Sequence, residues 1–148
     1  MGVTATVPLL DVAALPRSLA FWVEQLGFEI TERWVDVVGE LRWVHLQLGS
    51  AQLMLQQFKK PHDDGQPEPA PPTPALPRAS NPNLSLCFFC DDAIEVWRQL
   101  RGRGAEATRP QVLNGMWCTE LTDPDGNAVL FESRTDEPEG TNYSTPRL

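Results

Sequence analysis

Two short strings recur in this chain at one separation. Gly27-Phe28-Glu29-Ile30-Thr31 returns as Gly104-Ala105-Glu106-Ala107-Thr108, and Gly49-Ser50-Ala51-Gln52-Leu53 returns as Gly126-Asn127-Ala128-Val129-Leu130. Both are displaced by 77 residues (104 − 27 and 126 − 49) in a chain of 148. A shared offset means that one supersecondary unit is used twice, and this constrains the fold more than any other feature of the sequence.

Each half carries the same order of elements. Thr6 to Asp11 reads as a short apolar strand, and Pro16 to Leu26 as a helix. Pro16 suits a first helical turn, Leu19, Trp22, Val23 and Leu26 recur at helical spacing, and Gly27 ends the run. Strands follow over Glu29 to Val37, Leu41 to Leu48 and Gln52 to Phe58, separated by Gly39 and by Gly49-Ser50. In the second half Leu84 to Cys90 is a strand. Asp91 or Asp92 caps a helix through Arg101 that sets Ile94, Trp97 and Leu100 on one face. Three strands follow, Thr108 to Leu113, Met116 to Thr122 and Asn127 to Ser133, with a turn at Asp123-Pro124-Asp125-Gly126-Asn127. The expected fold class is α+β: two tandem βαβββ modules, about 5–59 and 84–134, forming one domain over 1–134. Side by side they would make a curved mixed sheet, with helices on the convex side and a cup on the other. Such a hollow is a natural ligand site.

Residues 61–83 hold eight of the fourteen prolines. Proline fixes φ and gives no backbone donor, so 60–83 is expected to be an insert between the modules and not a strand. Residues 135–148 are polar and read as a tail. A net charge of -8 argues against nucleic acid and anionic membranes as partners and leans towards a neutral or cationic small molecule. No apolar run reaches the roughly 18 residues of a membrane span. No basic residue precedes the first apolar stretch, so no secretory signal is expected, and three cysteines are too few for a disulfide scaffold. A cytoplasmic location is the expectation.

Leu15-Pro16-Arg17-Ser18-Leu19-Ala20-Phe21-Trp22 with Leu26-Gly27-Phe28 resembles the first helix of the vicinal oxygen chelate superfamily. Gly115-Met116-Trp117 through Glu120, followed by Asp123-Pro124-Asp125-Gly126-Asn127, resembles its closing hairpin. The likeness spans about 5–134 without the insert. The superfamily includes glyoxalase I, extradiol dioxygenases, fosfomycin-resistance enzymes and bleomycin-resistance proteins. For its enzymes the resemblance implies a divalent metal in the cup, held by His, Glu or Gln from the first and last strands of each module. Those positions fall here on Val7, Met54, Ser85 and Leu130. Valine and leucine have no donor atom, and methionine and serine are poor ligands for zinc, nickel or iron(II). No metal and no cofactor is therefore expected. The alternative is a displaced site built from His45, Glu120 and Glu132, which would make the chain a metal-dependent lyase or dioxygenase.

Strand alternation supplies the candidate lining. Val7 and Ser85 bring Leu9 and Asp11, and Cys87 and Phe89. Met54 brings Gln52 and Gln56, and Leu130 brings Ala128 and Glu132. On the third strand Trp43, His45 and Gln47 alternate with Arg42, Val44 and Leu46, and the pattern leaves the face open, although Val44 and Leu46 suit the core. Trp22 and Trp97 belong to the core, whereas Trp34, Trp43 and Trp117 are candidates for either pocket or core. The candidate binding set is Asp11, Trp34, Trp43, His45, Gln47, Met54, Gln56, Ser85, Cys87, Phe89, Trp117 and Glu132. Cys87-Phe88-Phe89-Cys90 has the spacing of a redox pair, but residues three apart on a strand point to opposite faces. The profile is similar to the bleomycin-resistance branch, which implies a homodimer that sequesters an aromatic or cationic compound. An interaction module with a filled cup is a third possibility.

Overall fold

The structure, a computed structural model, describes residues 1–58 and 84–144. The insert expected over 60–83 lies outside the described residues. The chain divides into two compact units, Met1–Thr73 and Pro74–Leu148. Among the described residues each holds one four-stranded mixed sheet and one helix, the α+β architecture of two tandem βαβββ modules.

In the first unit β1 (Leu9–Asp11) leads into α1 (Leu15–Leu19), which continues as a π-helical turn over Ala20–Gln25. Then come β2 (Glu29–Val35), β3 (Leu41–Leu48) and β4 (Ala51–Gln56). The sheet order is β1-β4-β3-β2, with β1 parallel to β4 and the other pairs antiparallel. The second unit repeats this with β5 (Ser85–Phe89), α2 (Ala93–Gly102), β6 (Gln111–Leu113), β7 (Met116–Thr122) and β8 (Ala128–Arg134), in the order β5-β8-β7-β6. Several strands are shorter than their apolar runs. The first begins at Leu9 because Pro8 has no N–H to give, and only its carbonyl joins the ladder, accepting from Met54 N–H at 2.8 Å. Pro110 shortens β6 in the same way.

Both helices are fixed to their sheets by one device. The Leu15 N–H donates to Gln57 Oε1 at 2.7 Å, and the Ala93 N–H donates to Ser133 Oγ at 2.9 Å. A side chain at the end of the last strand thus satisfies a helix donor that has no partner inside the helix. Asp92 adds an N-cap on α2, accepting from Ile94 and Glu95 N–H. These bonds also align the two halves. Leu15 and Ala93 stand 78 residues apart, but the helix-closing Gly27 and Gly104, both at positive φ, stand 77 apart (93 − 15 and 104 − 27). The first helix is one residue longer, and the π-helical turn absorbs the excess. The other string match is out of step. Gln57 and Ser133 stand 76 apart (133 − 57), because the first unit spends two more residues between its helix-closing glycine and the central strand pair (45 − 27 against 120 − 104) and one fewer around the turn that follows (54 − 45 against 130 − 120). Leu53 is therefore buried beneath the helix, whereas Leu130, its partner by string, faces the other way.

Each helix covers one face of its sheet. Val44, Leu46, Leu53 and Leu55 are all 0% exposed in the first unit, beneath a cluster of Leu15, Phe21, Trp22 and Phe28. Trp22 packs edge-on against Phe21 and Phe28, with centroids at 5.2 and 5.4 Å. Burying each such side chain contributes about 1.5–3 kcal/mol. Trp97, Leu100, Leu121, Val129 and Phe131 do the same in the second unit. Among the described residues no helix is long and apolar enough to cross a membrane.

The tail from Thr135 to Ser144 folds back on its own unit. Val112 N–H donates to Thr141 O, Gly140 N–H to Val112 O and Tyr143 N–H to Pro110 O, which covers the outer edge of β6. Glu139 accepts from Asn114 and Gly115 N–H at the β6–β7 turn, where both residues adopt positive φ. Tyr143 then lies edge-on to Trp97 at 5.7 Å and to Trp117 at 6.2 Å, and its hydroxyl accepts from Arg98.

Ser133→Ala is expected to lower unfolding free energy by about 1 kcal/mol, read from urea titration, because the Ala93 N–H loses its acceptor. Tyr143→Ala should cost about 2 kcal/mol, since it strips the cover from Trp97 and Trp117; a melting temperature within a degree of the parent would show that the tail contributes nothing to the fold.

Candidate functional site

The face turned away from the helix is left for chemistry in each unit. Ladder register sets its residues in rows. In the first unit one row runs Asp11, Gln56, Trp43, Trp34, a second Leu9, Met54, His45, Glu32, and a third Gln52, Gln47, Glu29. The structure thus settles the third strand. Val44 and Leu46 go to the core, and Trp43, His45 and Gln47 to the open face.

Hydrogen bonds hold this face in one arrangement. Gln56 Nε2 donates to Asp11 Oδ1 at 2.6 Å. His45 Nε2 lies 3.0 Å from Gln52 Oε1, and its Nδ1 lies 2.5 Å from Thr31 Oγ1. A carbonyl oxygen only accepts, so the tautomer that satisfies both contacts carries its proton on Nε2 and takes the Thr31 hydroxyl proton on Nδ1. These bonds turn the Gln52 NH₂ and the Gln56 carbonyl outward. The Trp43 and His45 rings stack, with centroids at 6.4 Å and planes at 30°. Trp34 pairs with Phe58 at 6.3 Å. Gln47 is tied back to the Gly49 carbonyl at 2.9 Å. Asp11, Trp34, Trp43, His45, Met54 and Gln56 thus share one face. Thr31, Gln52 and Phe58 complete it. The alternation Gln56, Gln57, Phe58 was the signal for Phe58; nothing local pointed to Thr31, since β2 carries a register shift between Ile30 and Glu32.

The open face of the second unit is different. Its rows are Ser85, Ala128, Thr122, then Cys87, Leu130, Glu120, then Phe89, Glu132, Cys118, Gln111. Burial pushes the Cys118 thiol up to about 12, and the Glu132 and Glu120 carboxylates push the same way. Cys87 is exposed, and partial desolvation, then the Glu132 charge, raises it too. Ser85, Cys87, Phe89 and Glu132 therefore lie on one face. Trp117 does not. It pairs across the ladder with Ser133 and stands on the helix side against Tyr143, so its place is with the core. The physical reason is parity: Cys118, one residue on, takes the open face. Cys87 and Cys90 do not pair; both are free, and Cys90 turns away, its thiol on the Glu132 carbonyl at 3.5 Å.

Among the described residues no three His, Cys, Asp or Glu side chains come together as they would around a metal ion. His45 is in the first unit and Glu120 and Glu132 are in the second. The resemblance in sequence would place the superfamily's metal ligands at Val7, Met54, Ser85 and Leu130. Met54 and Leu130 sit at matching places on the two central strands, paired with Leu9 and Cys87. This donor set does not fit a hard or borderline divalent cation.

The chain belongs to the glyoxalase/bleomycin resistance protein/dioxygenase superfamily, whose family model matches residues 7–131. Its fold is similar to that of a bleomycin-binding protein solved in complex with bleomycin. That likeness has 22% identity and a TM-score of 0.61, and covers 90% of this chain and 100% of the other. It is similar also to TioX from Micromonospora sp. ML1, at 17% identity and TM-score 0.60, over 89% of this chain and 100% of the other. A glyoxalase/bleomycin resistance protein/dioxygenase from Nocardioides shows 16% identity and TM-score 0.62, over 97% of this chain and 92% of the other. Compared by sequence with curated proteins, the chain matches none.

Alkylation reads out the thiol environments. A thiol raised in the folded state stays protonated above the ordinary value of 9.0, and for Cys118 until pH approaches about 12. Since the thiolate is the nucleophile, iodoacetamide at pH 9 is expected to label Cys87 before Cys118, and Cys118 only on unfolding. Its linked stability is full below pH 9 and lost as pH rises towards 12. Glu132→Gln should bring Cys118 labelling to lower pH; an unchanged profile would separate the two groups.

Proposed function

We propose that the chain is a metal-free binding protein that sequesters a small, flat, aromatic compound with a cationic or hydrogen-bond-donating edge. The observation that carries this reading is the open face of the first unit. Trp43 and His45 present stacked rings, and Trp34 and Phe58 extend the aromatic surface. A flat guest gains about 0.5–1.5 kcal/mol per aromatic contact beyond area burial. Asp11 and the outward Gln56 carbonyl accept at one end of the face, and the Gln52 amide donates at the other. A net charge of -8 favours encounter with a cation. The donor set at Val7, Met54, Ser85 and Leu130 supports binding over metal-assisted catalysis. Similarity to a bleomycin-binding protein supports a guest of that chemical kind. The same reading has the protein acting in the cytoplasm as a homodimer, with Ser85, Cys87, Phe89 and Glu132 as the ligand-contacting residues of the second unit.

Calorimetric titration with bleomycin and with flat cationic dyes tests the proposal. Binding is expected for at least one class, and Trp43→Ala should weaken it by about tenfold or more, equivalent to roughly 1.4 kcal/mol. Asp11→Asn should weaken cations selectively. Stoichiometric metal retained after purification, together with turnover that chelation abolishes, would overturn the reading.

A further inference from the structure

The duplicate halves use one threonine in two ways. Thr31 and Thr108 close the same repeated string and stand 77 residues apart (108 − 31). Each meets the same ladder position, His45 in the first unit and Glu120 in the second. Thr108 serves the backbone. Its N–H donates to Glu120 O at 2.9 Å, and its hydroxyl accepts from Glu120 N–H at 2.9 Å. The Thr31 hydroxyl turns to a side chain instead. The register of β2 shifts between Ile30 and Glu32, and Glu32 takes the place opposite His45. Simple alternation would set Thr31 on the face away from Glu32, but the shift re-aims its side chain towards the imidazole. Thr31 Oγ1 lies 2.5 Å from His45 Nδ1, and the His45 carbonyl is the farther acceptor at 3.2 Å. His45 Nε2 donates to Gln52 Oε1 at 3.0 Å, which fixes the tautomer whose Nδ1 accepts. A hydroxyl, a base within hydrogen-bond reach and a third group that orients the base are the parts of an activated nucleophile.

We infer that Thr31 is an acyl acceptor and that the open face of the first unit hydrolyses small aryl esters. The inference rests on the reading of that face as a platform for flat aromatic guests, since Trp43 stacks with His45 and Thr31 stands at the β2 side of both. His45 Nδ1 takes the hydroxyl proton as Thr31 Oγ1 bonds to the ester carbonyl carbon, and the carbonyl pair moves onto its oxygen. Gln52 Oε1 holds the Nε2 proton of the imidazolium that forms. The carbonyl re-forms, the carbon–aryloxy bond breaks, and the Nδ1 proton goes to the departing phenoxide. Water then attacks acyl-Thr31 and gives a proton to Nδ1, which returns it to Thr31 Oγ1 as the carboxylic acid leaves. The sum is ester plus water to acid plus phenol. The leaving group sets the substrate class. A phenol has a pKa of about 10, as tyrosine has, so a phenoxide departs with far less assistance than an alkoxide. Thr31 and His45 are the catalytic pair, and Gln52 is a positioning residue.

Incubation of the full chain with 4-nitrophenyl acetate tests the inference. Nitrophenol release above the solvent rate is expected, and peptide mapping of acid-quenched protein should find the acetyl group on Thr31. Thr31→Val should abolish both, and Thr31→Ser should retain both. His45→Gln should slow release by about a hundredfold or more, the low end for a positioned base. Nitrogen NMR of the imidazole should find the His45 proton on Nε2. Gln52→Leu should slow release and bring in the Nδ1-protonated tautomer, a change that a merely structural role would not produce. Flat cationic dyes should bind the parent and Thr31→Val alike. With dye binding intact, acetyl groups elsewhere and none on Thr31, undiminished release in Thr31→Val, or the parent's His45 proton on Nδ1 would each overturn the inference and leave the proposed function standing. A parent chain that binds no flat guest and releases no nitrophenol would overturn both.

Discussion

Complete burial of one sheet face governs the rest of this molecule. Val44 and Leu46 on β3, and Leu53 and Leu55 on β4, are fully shielded from solvent. A strand has only two faces, so a slip of one residue would carry all four to the surface and bring Trp43, His45, Gln52 and Met54 into the core. The apolar penalty for that slip is several side chains' worth of burial. The polar network of Asp11, Gln56, His45, Gln52 and Thr31 is held in place by hydrophobic packing on the far side of the sheet, not by its own bonds alone.

Duplication explains both the similarity and the divergence of the halves. A shared helix-capping bond from the end of the last strand keeps helix and sheet in the same relation. Within that frame each unit has changed what it presents. His45 in one unit occupies the place of Glu120 in the other, and Trp43 that of Cys118. The first face is aromatic and amide-rich, the second thiol- and carboxylate-rich. The helix sides diverge too. The tail covers the edge of β6 and supplies Tyr143 to the second.

Much of the architecture was legible in the residues. Gly27 and Gly104 marked the helix ends because both take positive φ, which few side chains tolerate. Asp92 and the Asp123 turn announced themselves through side chains that bond backbone. Trp22 and Trp97 read as core because helical spacing aligned them with other apolar positions. The candidate site was legible in part. Period two placed Asp11, Met54 and Gln56 together. It did not place Trp117, because a strand with apolar and polar residues on both faces does not declare its inner one. Thr31 escaped notice because a register shift in β2 brings it to His45. The tail's course was equally hidden, since Tyr143 finds its ring partners 46 and 26 residues away in sequence (143 − 97 and 143 − 117).

By itself the sequence determined the element order and the duplication, since each rests on local spacing. The tertiary structure decided which strand face is open, how one extra helical residue is absorbed and where the tail docks. Those depend on register and on competition among side chains for one volume, and both are settled only when distant segments pack together.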